Sequence, residues 1–176
     1  GKIIMKFIKD NAIDIILAFI LIALSLAMNF ALIKLDKGFN EYLAILLFTY
    51  IAVFTLDIKF SIPSVILIFI LNLLYRKSLN ADIRTLMLAI EVVFGFAIGY
   101  ISHKKFNISY IFSLFVSILI SKMFSYIIAL LIANAANIYN IGRIIKVNLV
   151  ASLLSITACL VIVPLVVYTK ENFTYL

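Results

Sequence analysis

Six long apolar runs, separated by short polar segments, constrain the fold of this chain more than any other feature. They lie at about 12–33, 42–56, 62–75, 85–102, 108–133 and 147–168. A helix needs roughly 20 apolar residues to cross a bilayer, and the second and third runs are short by that measure. Strands of a membrane barrel would alternate apolar and polar residues, and helices are the only other structures that satisfy every backbone group in lipid. The pattern therefore predicts an all-α integral membrane protein, a six-transmembrane-helix bundle in which residues 1–176 form a single transmembrane domain.

Composition and charge favour the lipid bilayer as the environment of the chain. It is 66% hydrophobic and 13% charged, whereas soluble domains are about half apolar and about a quarter charged. The net charge is +7, but the lysines and arginines stand singly or in pairs between apolar runs. They form no basic face for a nucleic acid, and we expect them to flank membrane helices near lipid headgroups. Cys159 is the one cysteine and His103 stands beside two lysines, so we expect neither a disulfide nor a bound metal.

One carboxylate interrupts the fourth run. The segment LMLAIEVVFGFAIGYI, Leu86–Ile101, carries Glu91 among apolar residues. A charged residue at the centre of a membrane helix costs roughly 2.5–3.5 kcal/mol even on lenient scales, so it faces a partner, a cavity or the bundle interior. Glu91 is therefore a candidate functional residue. Gly95 and Gly99 in the same run leave one helix face without side chains at two successive turns, which allows close packing of another helix.

Three further polar residues are predicted to lie at a similar depth. If the runs cross alternately, a rise of 1.5 Å per residue puts Glu91 roughly 10 Å and Tyr126 roughly 12 Å below the same membrane surface. Lys122 lies one turn deeper than Tyr126 on the same helix face, and Asn148 opens the sixth run. These residues either line a binding cavity, or Glu91 and Lys122 neutralise each other inside the bundle while Asn148 caps a helix. The two interpretations are compatible, and the sequence leaves both open.

Other residues extend the candidate site and suggest a docking face. Three aromatic residues near helix ends could place rings over a flat ligand: Phe39, Tyr75 and Tyr139. Three alanines, Ala23, Ala27 and Ala31, follow one another at intervals of four in the first run. Small side chains on one helix face allow close approach of another helix, which is either a neighbour in this chain or a partner protein.

Two helix boundaries can be predicted from local signals. Ser61 followed by Pro63 is typical of a helix start, because a hydroxyl caps the first turn and proline there loses no hydrogen bond. The stretch Asn134–Lys146 is polar enough to predict the longest loop, between the fifth and sixth runs. Basic residues are divided equally between the two predicted sides, so the positive-inside rule does not orient the bundle.

Taken in order, these features resemble the S-components, the substrate-binding subunits of energy-coupling factor (ECF) vitamin transporters, and most closely their thiamin-binding type. The segment LAIEVVFGFAIGYISHKK resembles a fourth span that carries a carboxylate in that family, with Glu91 at its position. The run KMFSY, from Lys122 to Tyr126, resembles a lysine followed four residues later by a ligand-contacting histidine, with tyrosine in its place. VNLVAS puts Asn148 where the family has an asparagine, and the three alanines resemble its AxxxA docking motif. The chain has no tryptophan, whereas the thiamin binders use tryptophan rings, so thiamin itself is not favoured.

The resemblance implies a mechanism and a set of partners. The protein would capture a vitamin-like small molecule outside the cell, in an occluded site near the outer leaflet of a bacterial plasma membrane. It would then topple against the transmembrane subunit EcfT, while two ATPase subunits use ATP to drive release into the cytoplasm. Both termini would be cytoplasmic, and the chain itself would bind no cofactor. No catalytic motif or phosphate-binding loop is present, so we do not expect an enzyme. The alternatives are a membrane scaffold of the rod-shape MreD type and the sensor module of a signalling protein.

Overall fold

The computed structural model describes residues 1–35, 43–75 and 82–173, which are helical and contain no strand. The helices are α1 (Lys2–Asp10), α2 (Ala12–Leu35), α3 (Leu43–Thr55), α4 (Ile58–Tyr75), α5 (Ile83–Tyr100), α6 (Tyr110–Ala136) and α7 (Ile141–Phe173). A π-helical turn, Ile101–Lys105, continues α5.

Within these described ranges, five helices are long and apolar enough to cross a membrane: α2, α4, α5, α6 and α7. This confirms the prediction of an all-α membrane bundle. The second predicted span is α3, whose 13 residues measure about 20 Å along the helix axis. That is shorter than the roughly 30 Å hydrocarbon core, so six crossings are not confirmed.

Helix α3 is the centre of the bundle. All of its 13 residues are buried, and α2, α4, α5 and α7 pack around it. Its two threonine hydroxyls bond within the helix: Thr49 Oγ1 donates to Ile45 O at 2.7 Å and Thr55 Oγ1 to Ile51 O at 2.6 Å. A helix enclosed by protein does not have to match the thickness of the lipid around it.

The start of α4 differs from the prediction. The helix begins at Ile58, where the backbone N–H donates to Asp57 Oδ1 at 2.9 Å. Asp57 thus caps the helix instead of Ser61, because an Asp carboxylate accepts from first-turn amides at least as well as a hydroxyl. Pro63 consequently lies inside the helix, and the third span grows to 18 residues.

The predicted loop Asn134–Lys146 is wrong over most of its length. Helix α6 continues to Ala136 and ends at Asn137, whose φ of 56° is left-handed; asparagine is one of the residues that tolerate this cap. Helix α7 begins at Ile141, so the connection is only 137–140. As a result, Asn148 does not open the sixth span but lies two turns inside it.

Helix α2 is attached to α4 by a buried polar cluster, which we call the asparagine clamp: Ser25, Asn29 and Asn72. Asn29 Nδ2 donates to Asn72 Oδ1, and Asn72 Nδ2 donates to Ser25 Oγ, both at 3.0 Å. All three residues are at most 1% exposed. Hydrogen bonds of this kind join helices in membranes, and the sequence analysis missed this cluster.

The start of α2 and the last turns of α7 lie at one end of the bundle, which we call the α1 end. There Lys170 of α7 contacts Asp14 of α2 and donates to the carbonyl of Thr55, at the end of α3. His103 also packs edge-on against Phe54, which brings the end of the π-helical turn to the same place. The opposite end carries the start of α5 and the connection between α6 and α7.

Candidate functional site

A buried ion pair joins α5 to α6. Glu91 Oε1 lies 2.9 Å from Lys122 Nζ, and the two side chains are 5% and 10% exposed. Glu91 shares its helix face with other buried residues of α5: Met87, Leu88, Val92, Gly95 and Gly99. Helical periodicity therefore turns the carboxylate inward. Ser125 of α6 supports it, because its Oγ donates to Glu91 Oε1 at 3.4 Å.

Lys122 also reaches α7. Its Nζ donates to Asn148 Oδ1 at 3.1 Å and to Ser152 Oγ at 2.5 Å. A lysine ammonium has three N–H donors, and with Glu91 these acceptors use all three. The charge is thus bound by groups on two helices, deep inside the bundle.

Tyr126 completes the cluster on the side nearer the end of the bundle opposite the α1 end. Its hydroxyl donates to Asn148 Oδ1 at 2.8 Å, and its ring centroid lies 5.6 Å from Lys122 Nζ. The structure therefore brings Glu91, Lys122, Tyr126 and Asn148 together, and we call them, with Ser125 and Ser152, the polar network. Because α7 begins at Ile141, Asn148 lies inside that helix, beside Tyr126 of α6.

A small cavity adjoins the polar network. Its volume of about 20 Å³ accommodates about one water molecule, whereas pockets that bind small organic ligands measure roughly 300–1,000 Å³. The network side chains thus occupy the space between the helices in this arrangement. The cavity lining is drawn from α3, α5, α6 and α7: Leu46, Tyr50, Glu91, Ile118, Ser121, Lys122, Ser152, Ser155, Ile156 and Cys159.

Several of these residues were missed in the sequence. The serines of α6 recur every four residues, at 113, 117, 121 and 125, and all are buried; this spacing marks one inward face and could have been read directly. Ser152 likewise lies four residues after Asn148, so both share one face of α7. Tyr50, whose hydroxyl lies 3.4 Å from Ser121 Oγ, carries no such signal, because its position depends on where α3 enters the bundle.

The predicted aromatic cover is not part of the polar network. Tyr75, at the end of α4, is 46% exposed and packs edge-on against Phe30 of α2. Tyr139 is 96% exposed in the turn between α6 and α7. Neither lines the cavity, so the prediction of rings over the ligand is not supported for these two. Phe39 lies outside the described residues.

The three alanines lie on the outer face of α2. Ala23, Ala27 and Ala31 are all exposed, whereas Ser25 and Asn29 of the asparagine clamp face the opposite way. Packing among the described residues therefore does not bury the alanine face, and docking of a partner there stays a prediction.

The polar network offers a carboxylate, an ammonium, an amide and a phenol to a single small volume. Among the described residues, no group of three or more His, Cys, Asp or Glu side chains could hold a metal ion. The network groups include both donors and acceptors of hydrogen bonds. Compared with models of protein families, with curated proteins and with solved structures, the chain has no match.

Proposed function

We propose that the protein is the substrate-binding membrane subunit of an ATP-driven importer of the ECF type, a six-helix S-component that captures a vitamin or similar water-soluble micronutrient. The convergence of Glu91, Lys122, Tyr126 and Asn148 from three helices is the observation that carries this proposal. A scaffold protein has no need for such convergence, which is why we favour transport. The resemblance of Glu91, Lys122 and Asn148 to the S-component pattern adds support, whereas Tyr126 stands where that pattern has a histidine.

In this proposal the ligand replaces contacts that the network makes with itself. Glu91 accepts hydrogen bonds or meets a cationic group, Lys122 meets an anionic or carbonyl group, and Asn148 offers both kinds of partner. Each network group is already paired in the closed arrangement, so a ligand must supply substitutes for every contact that it breaks. A compound that lacks one of them would leave a buried polar group unpaired, which is a strong source of selectivity.

The burial gradient across the network suggests the direction of entry. Tyr126 and Asn148 are only partly buried, whereas Glu91 and Ser152 are buried beneath them. We infer that the site opens between α6 and α7 at the end of the bundle opposite the α1 end. In an importer this end faces the outside, which agrees with the expectation of cytoplasmic termini.

The proposed partners follow from the same assignment. The exposed alanine face of α2 would dock on EcfT, and two ATPase subunits would hydrolyse ATP. An ATP-binding motif is not found in this sequence, so energy would come from those subunits. Copurification of EcfT and an ATPase pair with the tagged protein from its own host is the expected result, and a scaffold or sensor would not retain them.

Ligand capture can be tested by mass spectrometry of small molecules that copurify with the detergent-solubilised protein. Once that compound is known, Glu91→Gln should weaken its binding by on the order of 1–3 kcal/mol, because a charged hydrogen-bond partner is lost. This corresponds to roughly a 5- to 150-fold rise in Kd, measured by isothermal titration calorimetry.

Asn29→Ser is the matched control for that experiment. It changes an equally buried polar residue in the asparagine clamp, which does not line the cavity, so ligand affinity should stay the same. An unchanged affinity in Glu91→Gln would show that the carboxylate does not touch the ligand. Absence of any bound compound, together with absence of an ATPase pair, would favour the scaffold alternative.

A further inference from the structure

Helix α1 has two chemically distinct faces. At 3.6 residues per turn, Lys2, Lys6, Lys9 and Asp10 occupy one continuous arc of the helix. The remaining arc is entirely apolar and consists of Ile3, Ile4, Met5, Phe7 and Ile8. Nine residues are too few for this periodic pattern to stand out in the sequence beside the long apolar runs.

The apolar face of α1 is not covered by the bundle. No residue of the helix is buried, and Ile3, Met5 and Ile4 are 86%, 73% and 64% exposed. A contiguous apolar surface of this kind marks an interaction site. Burial of such side chains away from water is favourable, so we expect an apolar environment to cover them.

Contacts with α4 hold α1 beside the start of that helix. The rings of Phe7 and Phe60 have centroids 5.9 Å apart, and Lys59 Nζ lies 5.7 Å from the Phe7 ring centroid. Asn11 separates α1 from α2, which begins at Ala12 and is one of the helices able to cross the membrane. The apolar face of α1 therefore lies directly before the first helix that is long and apolar enough to cross a membrane.

We propose that α1 lies in the membrane interface as an anchor that binds anionic phospholipids. Its apolar face enters the boundary between headgroups and acyl chains, while Lys2, Lys6 and Lys9 contact phosphate groups. A segregated apolar face with lysines opposite is the pattern of interfacial helices, and each lysine near an anionic surface adds to the attraction. Charge complementarity favours an anionic lipid surface over a second copy of α1, because the apolar face of a second copy would cover the first but would leave the lysines without phosphate partners. The inference is independent of the transported molecule.

A single tryptophan can report the depth of α1, since the chain has none of its own. Phe7→Trp is made in the full chain and reconstituted into vesicles of phosphatidylcholine, with or without phosphatidylglycerol, whose acyl chains carry bromine as a quencher. We expect blue-shifted emission that brominated chains quench, with stronger quenching in the phosphatidylglycerol vesicles. Added salt should reduce that difference, since it screens surface charges.

Two matched variants calibrate the measurement. Phe115→Trp places the reporter on the lipid-facing side of α6, and Tyr139→Trp places it in an exposed turn; the native side chains are 52% and 96% exposed. Phe7→Trp should resemble the first reporter in its quenching by brominated chains. Adding Lys2→Gln, Lys6→Gln and Lys9→Gln to Phe7→Trp should abolish the preference for phosphatidylglycerol.

Two outcomes would overturn the proposal. In one, Phe7→Trp resembles Tyr139→Trp: aqueous iodide quenches it and brominated chains do not. In the other, its protection rises with the protein-to-lipid ratio and is insensitive to phosphatidylglycerol, which would assign the face to a second copy of the chain.

Discussion

Lys122 is the buried residue that most depends on its hydrogen-bond partners. It lies near the middle of α6, where an ammonium without partners costs at least roughly 2.5–3.5 kcal/mol. Three acceptors from α5 and α7 offset that cost. A buried ion pair of this kind is weak evidence for stability, because desolvation cancels much of the attraction, yet removal of one partner is expensive. The pair thus makes the network sensitive to any group that competes for either charge.

Removal of the Lys122 charge should lower the free energy of unfolding more than removal of the Glu91 charge. In Lys122→Met, Glu91 keeps the long hydrogen bond from Ser125, and we expect a loss of about 3–5 kcal/mol. In Glu91→Gln, Lys122 keeps Asn148 and Ser152, so the loss should be smaller. The double variant should be more stable than Lys122→Met. Denaturant unfolding in detergent micelles measures all three, and a double variant that is less stable than Lys122→Met would contradict the ion pair.

At the scale of elements, the contact of α5 with α3 and α6 depends on two glycines. A Cβ on Gly99 would lie 3.3 Å from Ser117 Oγ of α6 and 3.4 Å from Phe54 of α3. A Cβ on Gly95 would lie 2.5 Å from the Tyr50 hydroxyl, closer than real side chains approach. The spacing of these glycines predicted a face for close packing, and the structure places two helices against it.

Gly95→Ala should therefore destabilise the bundle by about 1–3 kcal/mol, the usual cost of overpacking. Tyr50→Phe, which removes the contacting hydroxyl, should restore most of the loss when it is combined with Gly95→Ala. Gly142→Ala is the matched control, because a Cβ there has open space and alanine favours a helix by about 1 kcal/mol. Thermal unfolding by circular dichroism makes the comparison, and equal effects of the two alanines would contradict the close contact.

For the whole molecule, hydrophobicity alone was enough to predict an all-α membrane bundle. The inward orientation of Glu91 and Lys122, which pair in the structure, was also predictable. Helical periodicity carries that information, because an isolated charge in an apolar run must face inward. The position of α3 could not be predicted in the same way, since lipid and protein interiors select the same apolar side chains. The early start of α7 was hidden by Arg143 and Lys146, which suggested a loop although their long stems are compatible with a helix at the membrane boundary.

The central position of α3 has a consequence for biosynthesis. Membrane insertion machinery selects segments by their apolar length, and 13 residues fall below the roughly 17–25 that a spanning helix requires. Only two residues, Leu56 and Asp57, separate α3 from α4. We therefore expect α3 to be held back until α4 has been synthesised, so that the two enter the bilayer as a hairpin.

Topology reporters can detect this delay. A reporter fused after Leu56 in a chain truncated there should stay on the side of the membrane that α2 reaches. The same reporter inserted between Leu56 and Asp57 of the full chain should lie on the opposite side, because α4 is then present. If the reporter of the truncated chain also lies on the opposite side, α3 inserts alone and the expected delay is contradicted. If the truncated chain does not cross, the central helix α3 is synthesised before it can insert into the membrane.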